Sequence, residues 1–266
     1  MTSTLDKMRA ILRRDLLTAI RHRSAFLLTI AGVLVELAAF YFLAHAIGPS
    51  FRPEGVEYFP FVLVGTGMYT FFLKSAYAFL RTIEEAQQSG TMEVLMTTST
   101  EPAELVILSS ISAFAGTLMS LGIYVLAGIV VFRATIDANI LSCCLVLVLS
   151  TLLAIALGIM VAASQITSQK GSAIVWLLGS GVWFLSGAMF PVSSLPPALT
   201  WLSKIVPITY AIDGTREGLL RHKSPLEMGS TLIPLAGFGV VLLVLSLGAF
   251  SLSLRRARQN GTLSFY

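Results

Sequence analysis

The chain has 266 residues, of which 55% are hydrophobic and only 12% charged, and its mean hydropathy of +0.82 lies far from that of an ordinary soluble domain. This excludes a soluble enzyme and predicts an all-α membrane protein that crosses the bilayer several times. The formal net charge of +4 gathers beside apolar runs, so it is read as a topology signal and not as a nucleic-acid surface.

At the N-terminus, Leu5, Met8, Leu12, Leu16, Ala19 and Ile20 recur at helical spacing with Lys7, Arg13, Arg14 and Arg21 largely opposite. Residues 1–24 are therefore expected to form an amphipathic helix lying in the inner headgroup layer. A bilayer core of about 30 Å needs about 20 consecutive apolar residues. Six stretches meet that need: Ala25 to Ile47, Pro60 to Leu80, Leu105 to Phe132, Ile140 to Ser164, Ser172 to Phe190 and Thr231 to Leu254. The first follows a basic segment and lacks a small-residue cleavage pattern, so it reads as a retained span and not a leader. Basic residues before it and Arg255, Arg256 and Arg258 after the last span place both termini in the cytoplasm. The expected location is a cell membrane, the bacterial inner membrane, in multi-pass form.

Ionisable groups inside spans are expensive and mark function by default. Two stand out, Glu36 in the first span and Lys74 in the second. At ~1.5 Å per residue they lie roughly 17 Å and 9 Å from the inner ends, so an ion pair is expected, the alternatives being that Lys74 snorkels to the inner surface or that either residue faces a polar pathway. The second span also carries Phe59, Phe61, Tyr69, Phe71, Phe72, Tyr77 and Phe79. Packing and a pathway for bulky amphipathic cargo are both open to these rings, with Tyr69 and Phe72 the pathway candidates. Gly116, Gly122, Gly128, Gly179, Gly181 and Gly187 suit close helix approach. Cys143 and Cys144 are adjacent and read as packing residues, and the three histidines share no metal-ligand spacing. No metal site or cofactor is expected on this chain. It has no G-x-x-x-x-G-K-[ST] phosphate loop, so ATP hydrolysis is not its own.

Two connections have room for function. Residues 81–104 form a polar, acidic insert between the second and third spans, RTIEEAQQSGTMEVLMTTSTEPAE, which the topology places in the cytoplasm. Within it, Pro102 is suited to the first turn of the next helix. Residues 191–228, placed outside, combine Pro191, Pro196, Pro197 and Pro207 with apolar anchors, Trp201 and Tyr210. Short re-entrant helices packed over the outer end of the bundle are expected there.

Taken together these features resemble the ABC-2 type permease family over essentially the whole chain. The resemblance rests on the basic amphipathic helix, on Glu84, Glu85 and Ser89-Gly90-Thr91-Met92-Glu93-Val94-Leu95, and on Gly187-Ala188-Met189-Phe190-Pro191, Leu195-Pro196, Pro207, Tyr210, Asp213 and Arg216. Pro102 after Glu101 departs from the Thr-Pro common in that family. The resemblance implies that the insert is a coupling helix seated in a separate cytoplasmic ATPase, with Glu84, Glu85, Gly90, Thr91, Met92, Glu93, Val94 and Leu95 at its centre. Ile83, Met92, Val94, Leu95 and Met96 would be apolar anchors and the glutamates would steer docking. It also implies that ATP and Mg bind the partner ATPase, that a second copy completes the pathway, and that the direction is export of a polysaccharide, lipid-linked polymer, lipid or drug. An ATPase-independent channel or assembly scaffold is the alternative. An intramembrane enzyme is disfavoured, because no catalytic groups converge within the spans.

Overall fold

The structure is a computed structural model that describes residues 23–89 and 102–260. The expected amphipathic helix at 1–24, apart from its last two residues, and the insert residues Gly90, Thr91, Met92, Glu93, Val94 and Leu95 lie outside the described residues. Eight α-helices and no strand occur among those described: α1 Arg23–Ile47, α2 Tyr58–Gln88, α3 Pro102–Val130, α4 Ile140–Ser168, α5 Gly171–Leu185, α6 Pro197–Ser203, α7 Pro207–Leu220 and α8 Gly229–Asn260.

Among the described residues, three helices are both long and apolar enough to cross a membrane, over Leu27–Ile47, Ile140–Ser168 and Gly229–Ala257. They correspond to the first, fourth and sixth expected spans. α2 is long but carries Lys74, Arg81, Glu84 and Glu85. α3 begins at Pro102, where the sequence places a first-turn proline. The expected fifth span, Ser172 to Phe190, stops at Leu185, so α5 has 15 residues and spans about 22 Å. Beyond its end, Gly187 turns the chain at φ +76°, and the carbonyls of Gly187 and Ala188 turn to a side-chain donor on α7.

The main core joins α2, α4, α7 and α8 through Phe71, Phe79, Leu153, Ile212 and Leu235 among others. α1 packs at the side of the bundle, where Val33 and Leu37 meet Leu63 and Tyr124, while Leu28, Val35 and Phe42 remain exposed. In water such an apolar face would be unfavourable; against lipid chains it is the stable arrangement.

Close helix approach uses glycines other than most of those picked from sequence. Gly116 and Gly122 have open space where a Cβ would sit, whereas Gly128 faces Leu63 and Gly65 faces the Ala188 carbonyl. A Cβ on Gly65 would overlap that carbonyl and come within 2.5 Å of Arg216 Nη2. The aromatic rings of α2 are chiefly packing residues: Tyr69 is 5% exposed and Phe72 2%, and the Tyr69 hydroxyl donates to the Leu178 carbonyl of α5. Tyr77 is the exception and is exposed. Cys143 is half-buried beneath Gly218, while Cys144, expected to pack, is exposed.

Candidate functional site

The two ends of the bundle differ. One end carries residues 48–57, 133–139 and 186–228, cross-linked by polar contacts. Arg221 donates to the Glu54 carboxylate at 2.6 Å and to its carbonyl at 2.9 Å. His222 Nδ1 lies 3.0 Å from Asp137 Oδ1, Thr135 donates to Glu57 at 3.2 Å, and Asn139 N–H donates to the Gly218 carbonyl at 2.9 Å. Glu217 accepts from Lys223 and from Thr231. α7 is thereby bound on several sides, and both it and α6 start at prolines, Pro207 and Pro197, whose fixed φ suits a first helical turn. Pro196 caps α6 and Pro191 precedes the turn Val192–Ser194. Tyr210 donates to the Lys204 carbonyl at 2.9 Å and tilts against Phe238 of α8. The segment after α5 thus holds two short helices, α6 and α7.

Arg216 organises this end. Its side chain is 2% exposed. Nη2 faces the carbonyls of Gly187 at 2.8 Å, Ala188 at 3.0 Å and Phe61 at 3.2 Å, and Nε donates to the Phe61 carbonyl at 3.3 Å. The guanidinium carbon sits 3.5 Å from the centre of the Phe61 ring, so cation–π attraction adds to the hydrogen bonds. Nη1 has no hydrogen bond but lies 3.6 Å from Asp213 Oδ1. Burial pulls the Arg216 guanidinium down to about 10 and Asp213 opposes that shift, so the group stays cationic at neutral pH. Burial likewise pushes the Asp213 carboxyl up to about 6, against the pull of Arg216. One side chain thus joins α7, the start of α2 and the turn that ends α5.

The opposite end carries the insert. α2 continues without a break past the expected span end at Leu80 to Gln88, so Arg81 to Gln88 extend the same helix. Glu84 and Glu85 lie on its last turns, with Glu85 3.4 Å from Arg81. Ile83, expected as an anchor for a partner, is fully buried in the main core and is unavailable for docking. Gln87 is also buried and accepts from Gln165 Nε2 at 3.4 Å, while Gln165 Oε1 accepts from Gly171 N–H at 3.0 Å. This amide pair ties the base of α2 to the turn between α4 and α5. Sequence reading missed both glutamines, because a polar residue near a span end looks like a solvated one.

Between the ends, Glu36 and Lys74 make no contact within 4 Å, but Lys74 is near enough to attract the Glu36 carboxylate by charge. Glu36 Oε1 accepts from Tyr124 Oη at 3.3 Å, and Tyr124 Oη lies 2.9 Å from Thr66 Oγ1. Lys74 lines a small cleft with Thr70, Thr117, Ser120 and Tyr124. Tyr124 is therefore the residue that links α1 to this polar strip. In Glu36→Gln, Tyr124→Phe and the double variant, folded yield in detergent is expected to fall non-additively, with coupling of about 0.6 kcal/mol as is usual for hydrogen bonds within membranes. Additive losses would sever that link.

Apolar helices, three of them long enough among the described residues to cross a membrane, are those of a helical membrane protein. The chain belongs to the ABC-2 type transporter family, whose family model matches residues 6–220. No curated protein matches the chain. Membership makes it an ABC-type permease component, a class that associates with an ABC ATPase.

Proposed function

We propose that this chain is the membrane subunit of an ABC-type exporter, driven by a separate cytoplasmic ATPase that docks on residues 81–104. The supporting observation is α2. Its 31 residues make a rod of about 46 Å, clamped by Ile83 and Gln87 where the insert begins and by the Arg216 contact to Phe61 at the other end. A displacement at the insert is carried along such a rod as a rigid body, because a packed core does not deform continuously. Gly90, Thr91, Met92, Glu93, Val94 and Leu95 supply the docking surface in this reading, together with Glu84 and Glu85.

All six expected spans cross the membrane, α5 with help from the turn that follows it, and α6 and α7 are re-entrant at the outer face. Both termini are cytoplasmic, and residues 1–24 lie on the inner surface. Two copies form the pathway, in which the strip of Glu36, Lys74 and Tyr124 is the polar part. Tyr69, bonded to Leu178 of α5, and the buried Phe72 reach a pathway only if α2 moves within the bundle. The cargo is a polysaccharide, lipid-linked polymer, lipid or drug, and ATP with Mg is bound by the partner.

The test compares the purified complex with this chain alone in liposomes. Nucleotide-dependent flux that needs both chains is the expected result. Flux through this chain alone, indifferent to ATP, favours the channel reading instead.

A further inference from the structure

A cavity of about 480 Å³ lies at the end of the bundle that carries residues 48–57, between the last turns of α1, the first turn of α2 and the residues after α3. That volume falls in the range of sites that hold small ligands, roughly 300–1,000 Å³. Its floor is aromatic. Tyr41 meets Phe59 edge-on at 5.4 Å and Phe132 at 5.4 Å, and Phe59 lies 5.8 Å from Phe132.

The rim is cationic, and its charges stand apart from the rest of this end. Arg52 and Arg133 come from two different connections, both are exposed, and neither forms an ion pair with a described residue. The nearby carboxylates are engaged elsewhere: Glu54 is taken by Arg221 and Glu57 accepts from Thr135. Glu57 also borders the cavity, which leaves two guanidiniums facing one carboxylate. α1 is apolar up to Ile47, so the opening sits where hydrocarbon gives way to water.

An apolar drug or a neutral sugar would leave the charge of two guanidiniums unmatched. Guanidinium forks match phosphate oxygens in charge and geometry, and the rings below suit an adjoining apolar body. We propose that this cavity binds the phosphate of an anionic amphiphile, with Arg52 and Arg133 holding the phosphate and Tyr41, Phe59 and Phe132 the apolar part. The inference stands on the cavity alone and does not depend on the coupling reading of the insert.

The test uses the full chain in nanodiscs of equal phosphatidylcholine and phosphatidylglycerol, with retained lipid counted by native mass spectrometry. Both lipids carry a phosphate, but the choline cation neutralises that of phosphatidylcholine and is repelled by two guanidiniums, so an enrichment of phosphatidylglycerol of about tenfold is expected, falling to parity in Arg52→Gln/Arg133→Gln and unchanged in Lys204→Gln. If the double variant fails to fold, Arg52→Gln alone is read in the same way. Free sn-glycerol 3-phosphate separates the sources. Displacement of the retained lipid assigns recognition to the phosphate itself, whether free or lipid-borne. Failure to displace it, with the arginine dependence intact, assigns recognition to the whole lipid. Enrichment that survives removal of both arginines, or that Lys204→Gln abolishes equally, overturns the proposal.

Discussion

Replacing Arg216 by Leu is expected to destabilise the bundle by about 3–5 kcal/mol, the range found when one partner of a buried charged contact is removed. The substitution leaves the carbonyls of Phe61, Gly187 and Ala188 without the donor they now share, and each uncompensated buried polar group costs about 1–3 kcal/mol. Arg216→Lys keeps the charge but offers no planar fork to bridge carbonyls on separate segments, so it should recover only part of the loss. Asp213→Asn should have a much smaller effect, because its contact to Nη1 is 3.6 Å long and makes no hydrogen bond. Gly65→Ala offers an independent check, since its new methyl group would push the Ala188 carbonyl and Arg216 apart and overpacking of this kind costs about 1–3 kcal/mol. Unfolding of the four variants in mixed micelles, followed by circular dichroism, gives the order. An Arg216→Leu variant as stable as the parent would remove this side chain from its role as the joint between α2, α5 and α7.

The second large effect is expected at the insert. Glu93→Arg reverses a charge that the docking reading turns toward a basic cleft, and Leu95→Asp places a carboxylate where an apolar anchor is required. Truncating or inverting a buried interface anchor costs about 2–4 kcal/mol, which lowers ATP-driven transport by at least about thirtyfold at limiting partner concentration. Membrane insertion and thermal stability should be unchanged. Transport measured in cells, beside the amount of chain in the membrane fraction, checks both halves. Normal transport in both variants would refute the coupling assignment.

Much of the architecture is legible in the sequence because its determinants are local. Apolar runs of span length become helices, Pro102, Pro197 and Pro207 each begin one, and the segment after the fifth span breaks into short helices where prolines demand it. What the sequence hides depends on contacts between distant segments. The end of α5 cannot be read from Met189 and Phe190, which are as apolar as the residues before them; it is set by Arg216, far along the chain, drawing on the carbonyls of Gly187 and Ala188. The same holds for the glycines. Gly116 and Gly65 look alike in sequence, but only Gly65 has another backbone pressed against it.

The candidate site divides in the same way. Arg216 was visible only through its place in a family pattern, and its function as a three-way joint is a property of the fold. Glu36 was visible as a costly residue inside a span, yet the hydrogen bond it accepts comes from Tyr124. A tyrosine among many aromatics carries no sequence mark of that kind. Ile83 shows the converse error: its apolar character is real, but it serves the bundle's own core.

In the function proposed above, this permease is moved from outside by a separate ATPase. Purifying the chain from its native membrane in mild detergent, then measuring nucleotide hydrolysis and the stoichiometry of what accompanies it, tests that idea most directly. The expected result is an ABC-type ATPase in equal amount, hydrolysing ATP, that is lost when Leu95 is replaced by Asp while the helical bundle stays folded. A folded, transport-competent chain that comes through purification with no ATPase would contradict it.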